Sequence, residues 1–479
     1  MSDAANGPAT SLRLVAGLAV AWAAVRAAAA LTWLRHPFPL EWQEGAMYEH
    51  SARVAEGLPV YQAPAVDFTA FPYPPLFHWV GSLLVTGPGA GLPALRIVSA
   101  LASIAVLGCL FAAGKRRGGV AAGLLSAGLF VASEGWSGTW LLLARVDALF
   151  LALTAGSLLL GTSRAALGGS ALAGALAGVL GALAVLAKQV ALGPLAALVA
   201  GLLLRRPSRR AGLAAGLAAG ALLAAVTVAL ERSTEGWFGF HVVGVLAGSP
   251  WFAPAARGFP VEVLLAWAPL LVLWLLAAPE RAHPAERLAL LALVAVAWVG
   301  RAHEGGYLNT LLPAALALAW VGGPLAARAA ASWPRLGPAL AGALLIWLPV
   351  AHPPAAPPGG AEAAAALAER IAGVDGQVWQ PHGTLDPRSR GGVHAMALVD
   401  LLKSREVEAA ARLRSELSRA LDERRFSAIV LGVELSEWAE LEALGRNYRV
   451  VDRLAPEGGA SPVPATGSPI GPRLWLEPR

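Results

Sequence analysis

The stretch "AGLAAGLAAGALLAAVTVAL", residues 211–230, contains twenty residues and no charge. Twenty residues of helix span about 30 Å, the thickness of a bilayer's hydrocarbon core. In lipid, such a run satisfies its backbone polar groups by forming a helix. The whole chain has the same character: of 479 residues, 56% are hydrophobic and 14% charged. A soluble domain cannot hide that much apolar surface, because burial is limited by surface-to-volume scaling. The expected fold is therefore an α-helical polytopic membrane protein. The Ala-, Gly-, Leu-, Pro- and Arg-rich usage suits a GC-rich bacterial genome.

Outward from residues 211–230, eleven spans are expected, near 12–34, 94–114, 119–133, 143–161, 169–187, 190–204, 211–230, 261–278, 288–300, 310–327 and 336–351. The apolar stretch 12–34 is long enough to span, so it reads as an uncleaved first helix and not as a signal peptide. With the N-terminus inside, cytoplasmic ends carry thirteen Lys/Arg, including "KRR" (115–117) and "RRPSRR" (205–210), against seven outside. The positive-inside bias thus puts the N-terminus in the cytoplasm of a bacterial inner membrane. Of fourteen Asp/Glu before residue 352, eleven gather at the outer face. Avoidance of the anionic inner leaflet explains part of that leaning.

Residues 1–351 read as the membrane domain, and "HPPAAPPGG" (352–360) as an extended, stiff linker. Residues 361–479 change composition. Amphipathic helix patterns precede the strand-like runs "FSAIVLGV" and "YRVVDRLA", so a small α/β extracytoplasmic domain ending in a Pro/Gly-rich tail is expected. The net charge, +8 before residue 352 and −2 after, follows topology and gives no ground for a nucleic-acid partner. The single cysteine, Cys109, can form no internal disulfide and reads as a small core residue.

The first outer loop, residues 35–93, is unusual. It contains "EWQEGAMYEHSARVAEGLPVY" (41–61), with four glutamates, then "FPYPPLFHWVGSLLVTGPG". Glu41, Glu44 and Tyr48 would share one helical face, while Glu49 and Arg53 could pair on a solvated one. Pro74-Pro75 would break a helix entering the interface, so 76–87 reads as a short helix at the outer surface.

This order of features resembles the GT-C glycosyltransferases, and most closely the family 39-like bacterial relatives of protein O-mannosyltransferases and aminoarabinose transferases. After the acidic helix come "G-x-P-V-Y", "Y-P-P-L", "ARVDALFLAL" (144–153), "LAVLAKQVALGPL" (183–195) and "GGYLNTLLPAALALA" (305–319). Together they cover roughly residues 12–351. The resemblance implies sugar transfer at the outer face from a polyprenyl-phosphate donor to an acceptor hydroxyl on a protein, lipid or glycan. The sequence has no Asp-x-Asp and no Gly-rich nucleotide loop, which fits a lipid-linked donor.

Many relatives carry Asp-Glu at the start of the first outer helix, with the Asp as base; here the pair is Gln43-Glu44. An amide cannot take up a proton at neutral pH, so the duty would fall to Glu44, or to Glu41. Asp147 would orient the base or, with Glu44, help hold a divalent cation, the one cofactor left open. Lys188, Arg145 and Arg301 would meet the donor phosphate. Tyr61, Tyr73, His303 and Asn309 are candidate substrate contacts. The aromatics of 231–260 could stack on a sugar, although such residues are more often interface anchors. Two other classes also suit a polytopic chain: a lipid or sugar transporter, and an inactive relative serving as a binding scaffold.

Overall fold

Each of the eleven apolar runs lies on a helix in the computed structural model, which describes residues 3–86, 91–277, 282–350, 360–385, 391–434, 442–454 and 470–479. The expected linker falls outside these residues except for Gly360. Among the described residues, five helical stretches are long and apolar enough to cross a membrane: Thr10–Arg35, Leu92–Ser137, Arg209–Ser233, Ala253–Leu276 and Leu308–Ser332. Shorter apolar helices, such as Val146–Gly161 and Ala171–Ala187, complete the bundle. At about 1.5 Å per residue these are shorter than a full hydrocarbon core.

Glycine sets two features of the bundle. The helical run Leu92–Ala132 folds back at Gly119, whose φ of 80° is open to glycine and strained for other residues. Gly114 then lies against Ala122 and Gly123, so the expected spans 94–114 and 119–133 form a tight hairpin. Gly174 and Gly178 face the backbone of Ala211 and Ala215, where an added Cβ would sit 2.1 and 2.2 Å from the two carbonyl oxygens. This is the close small-residue packing expected where lipid supplies no hydrophobic drive between helices. One buried carboxylate of the bundle is paired twice: Glu286 accepts from Arg117 at 2.7 Å and from the Trp320 indole at 2.8 Å.

The C-terminal region forms a four-stranded sheet, order β1-β2-β4-β3, from Val378–Trp379 (β1), Ala428–Leu431 (β2), Tyr448–Arg453 (β3) and Leu474–Pro478 (β4). The β1/β2 pair is parallel, and the pairs with β4 are antiparallel. Helices Gly360–Ala372, Ala395–Lys403 and Val407–Asp422 accompany the sheet. The Pro/Gly-rich run expected as a tail, residues 455–469, lies outside the described residues, but the chain continues into the sheet after it. Its last apolar run, "LWL", returns as β4, because a strand between β2 and β3 satisfies its backbone on both edges while Leu474, Trp475 and Leu476 are buried.

This domain sits directly on the first outer loop. Val393 N donates to Val66 O at 2.7 Å, and Arg425 pairs with Asp67 at 2.5 Å. A Cβ at Gly45 would meet Thr384 O at 2.6 Å. Helix Glu44–Ala55 consequently lacks the broad solvated face read from its sequence. Residues 44–48, 50 and 51 are all buried between bundle and domain.

Candidate functional site

Arg96 organises the outer loop. Placed in the apolar helix after it, the side chain is fully buried and must find partners for all its donors. Its Nε and Nη2 donate to Glu44 at 2.9 and 2.6 Å, Nη2 to Phe38 O at 2.7 Å, and Nη1 to Trp33 O at 3.1 Å and to His36 O. Glu44 also accepts from Leu40 N at 2.6 Å and Ala144 N at 2.7 Å. Burial alone would raise the Glu44 carboxyl, but the Arg96 guanidinium and these bonds hold it below the usual range. Glu44, the first sequence candidate for the base, thus has both its oxygens taken by structural partners and does not line the cavity between the bundle and the C-terminal domain. The physical reason is local. The helix starts at Glu44, so Glu41 lies in the preceding turn and the two do not share a helical face.

Glu41 differs. Its Oε2 accepts from Arg145 Nη1 at 2.8 Å and from Gln43 N at 3.1 Å, while its buried Oε1 has no hydrogen-bond partner. Burial pushes its carboxyl up to about 7 against the pull of Arg145, with Glu44 adding to the rise.

The "ARVD" segment ties these groups together. Ala144 N serves Glu44, and Arg145, extended ahead of helix Val146–Gly161, reaches Glu41 and donates to Tyr73 Oη at 3.0 Å. Asp147, in the first turn, accepts from Lys188 Nζ at 2.6 Å and Asn309 Nδ2 at 3.3 Å. Lys188 itself is an extended residue that ends helix Ala171–Ala187. Its neighbour Gln189 donates to Pro72 O at 2.8 Å and Val242 O at 3.2 Å, closing one wall.

These groups border a cavity of about 590 Å³ between the bundle and the C-terminal domain. Glu41, Tyr73, Arg145, Lys188, His303 and Asn309 line it, as do Trp140 and Gln189 from the bundle. The domain contributes His382, Met396, Asp400 and Lys403.

Four sequence candidates do not line it. Glu44 is turned to Arg96, and Asp147 bonds to the cavity residues Lys188 and Asn309. Tyr61 donates to Tyr73 O at 2.7 Å and packs edge-on to Phe238. Arg301 lies 3.5 Å from Glu262 and donates to Gly306 O at 2.8 Å. The suggested cation pair, Asp147 and Glu44, is split, since each carboxylate is balanced by a basic side chain instead. Among the described residues no three His, Cys, Asp or Glu gather as a metal site. Of the aromatics in 231–260, Phe238 is buried on Tyr61, and Trp251 packs on Trp298 and His303.

Sequence reasoning missed Arg96 and the domain's wall. A lone arginine inside an apolar helix is a signal for the first. The second shows only as Met396, Val399, Asp400 and Lys403 recurring at helical spacing.

No protein-family model and no curated protein matches the sequence. Solved structures do match. The chain is similar to ArnT from Cupriavidus metallidurans in the apo state, at 15% identity and a TM-score of 0.60, covering 96% of this chain and 97% of that one. It is also similar to the same organism's ArnT bound to undecaprenyl phosphate, at 14% identity and a TM-score of 0.57, covering 95% and 98%. At such identities the likeness is one of fold. Over nearly its whole length, this multi-pass membrane protein has the GT-C fold.

Proposed function

We propose that this protein is a membrane glycosyltransferase that moves a sugar from a polyprenyl-phosphate donor to an acceptor hydroxyl at the outer face of the cytoplasmic membrane. In this reading the chain crosses eleven times, with its N-terminus inside and residues 361–479 outside, as the charge bias supports. The observation that carries the reading is the unpartnered, buried Oε1 of Glu41 at a cavity that also holds the basic groups Arg145 and Lys188. A carboxyl near neutral is poised to take a proton, and the two cations suit a leaving phosphate. That a similar structure binds undecaprenyl phosphate supports a lipid-phosphate donor.

The chemistry is a displacement. The acceptor hydroxyl gives its proton to Glu41 Oε1 as its oxygen bonds to the anomeric carbon. The bond between that carbon and the phosphate oxygen breaks, and the electron pair stays on the phosphate beside Lys188 and Arg145. Asp147, itself held by Asn309, keeps Lys188 in place; Glu44 and Arg96 hold the loop that presents Glu41. Tyr73 steadies Arg145, and His303, which ends helix Pro284–Ala302, lines the cavity.

The test is Glu41→Gln in purified protein supplied with lipid-linked sugar. Turnover should fall at least about a hundredfold, the lower end for losing a general base, while undecaprenyl phosphate still binds. Wild-type turnover should rise with pH through an acidic limb near 7. Turnover preserved within a few fold in Glu41→Gln would remove Glu41 from the reaction.

A further inference from the structure

Helix Ala395–Lys403 of the C-terminal domain presents two unlike faces. Ala397, Leu398 and Leu401 are buried, whereas Met396, Val399, Asp400 and Lys403 border the cavity at helical spacing i, i+3, i+4 and i+7. The charges on this wall are not equally occupied. Lys403 pairs with Glu304 at 2.6 Å, tying the domain to the loop after helix Pro284–Ala302. Across the cavity, Arg145 and Lys188 already face Glu41 and Asp147. Among the described residues Asp400 has no hydrogen bond or ion pair, although it is only part-exposed. Burial pushes its carboxyl up to about 6. A half-buried acceptor with an open volume before it wants a donor from a ligand.

The same cavity also has an aromatic surface. Trp42 is half-buried and lines the same cavity. Its ring is held by His382, nearly parallel at a centroid distance of 6.4 Å, and by His394 at 4.9 Å, whose Nε2 meets Trp42 O at 3.2 Å. An indole fixed on the same cavity as a carboxylate without a hydrogen bond suits a ligand with an apolar C–H face and hydroxyl donors on its rim. That is the chemistry of a pyranose or furanose ring.

We propose that Asp400 and Trp42 form a carbohydrate subsite in which the C-terminal domain, and not the bundle, recognises sugar hydroxyls. The inference rests on the glycosyltransferase reading and deepens it. The sugar is either that of the lipid donor or part of a glycan acceptor, and two binding arms separate these sources.

The full chain, in lipid nanodiscs, is titrated with undecaprenyl phosphate, with undecaprenyl-phosphate-linked hexoses and a 4-aminopentose, and with soluble gluco- and manno-oligosaccharides, binding being read by native mass spectrometry. Asp400→Ala and Trp42→Ala should bind undecaprenyl phosphate as wild type does. For at least one sugar-bearing probe they should lose about tenfold or more, the worth of one charge-assisted hydrogen bond. Loss for the lipid-linked sugars assigns the subsite to the donor; loss for the oligosaccharides assigns it to the acceptor. The isosteric Asp400→Asn should share the loss, and Glu408→Gln, exposed on the next helix, should not. Wild-type affinity for every sugar-bearing probe in Asp400→Ala and Asp400→Asn would overturn the inference while leaving the lipid-phosphate reading intact. Failure of the wild type to bind undecaprenyl phosphate would instead count against that reading, and the oligosaccharide arm would still judge the subsite.

Discussion

Glu44→Gln tests the division of labour between the two loop carboxylates. Glu44 Oε1 accepts from Arg96 Nε and Ala144 N, and Oε2 accepts from Arg96 Nη2 and Leu40 N. An amide offers one acceptor oxygen, so whichever way it is turned, two buried donors face an NH2 group. Arg96, fully buried, also loses its counter-charge. Breaking a buried ion pair by removing one partner costs about 3–5 kcal/mol, because the remaining charge stays desolvated. Glu44→Gln should therefore lower the midpoint of denaturant unfolding in mixed micelles and the apparent melting temperature, compared with wild type under matched conditions. Arg96→Met should do the same, and the double variant should recover part of the loss, since it leaves neither a charge nor a lone donor array. The pH dependence adds a sign. Glu44's folded carboxyl lies below its unfolded value of 4.5, so its contribution is present above about 4.5 and fades as pH falls through the lower folded value. A Glu44→Gln protein with wild-type unfolding but no transfer activity would refute this reasoning and return Glu44 to the chemistry.

Three further outcomes are expected. Lys188→Ala should weaken binding of undecaprenyl phosphate by about tenfold or more in the same nanodisc titration, since it removes a charge at the proposed phosphate position; unchanged affinity would move the phosphate elsewhere. Gly178→Val should unfold more easily or express poorly, because its Cβ would lie about 2.2 Å from Ala215 O; unchanged stability would mean that the two helices separate freely. Reporter fusions after residues 118 and 360 should report opposite compartments, and the same compartment for both would refute the proposed topology.

The sequence determined the bundle. Lipid leaves a backbone no partner but itself, so an uncharged run of span length has few alternatives to a helix, and all eleven apolar runs lie on one. The residues of "ARVD" and Lys188 could likewise be noticed, because ionisable groups at the ends of apolar runs are costly. What the sequence left undecided was direction. Spacing put Glu41 and Glu44 on one face, but the helix begins at Glu44, and Arg96, brought in from the next helix, claims that carboxylate and leaves Glu41 to the cavity. Nor could local pattern place "LWL" of 474–476 in the sheet, since a strand's pairing partners lie elsewhere in the chain. The cavity's far wall has the same origin. Asp400 sits on an ordinary amphipathic helix, and only the docking of its domain onto the first outer loop turns that polar face toward the cavity. Burial of a charge depends on what packs over it, and that is a property of the tertiary structure.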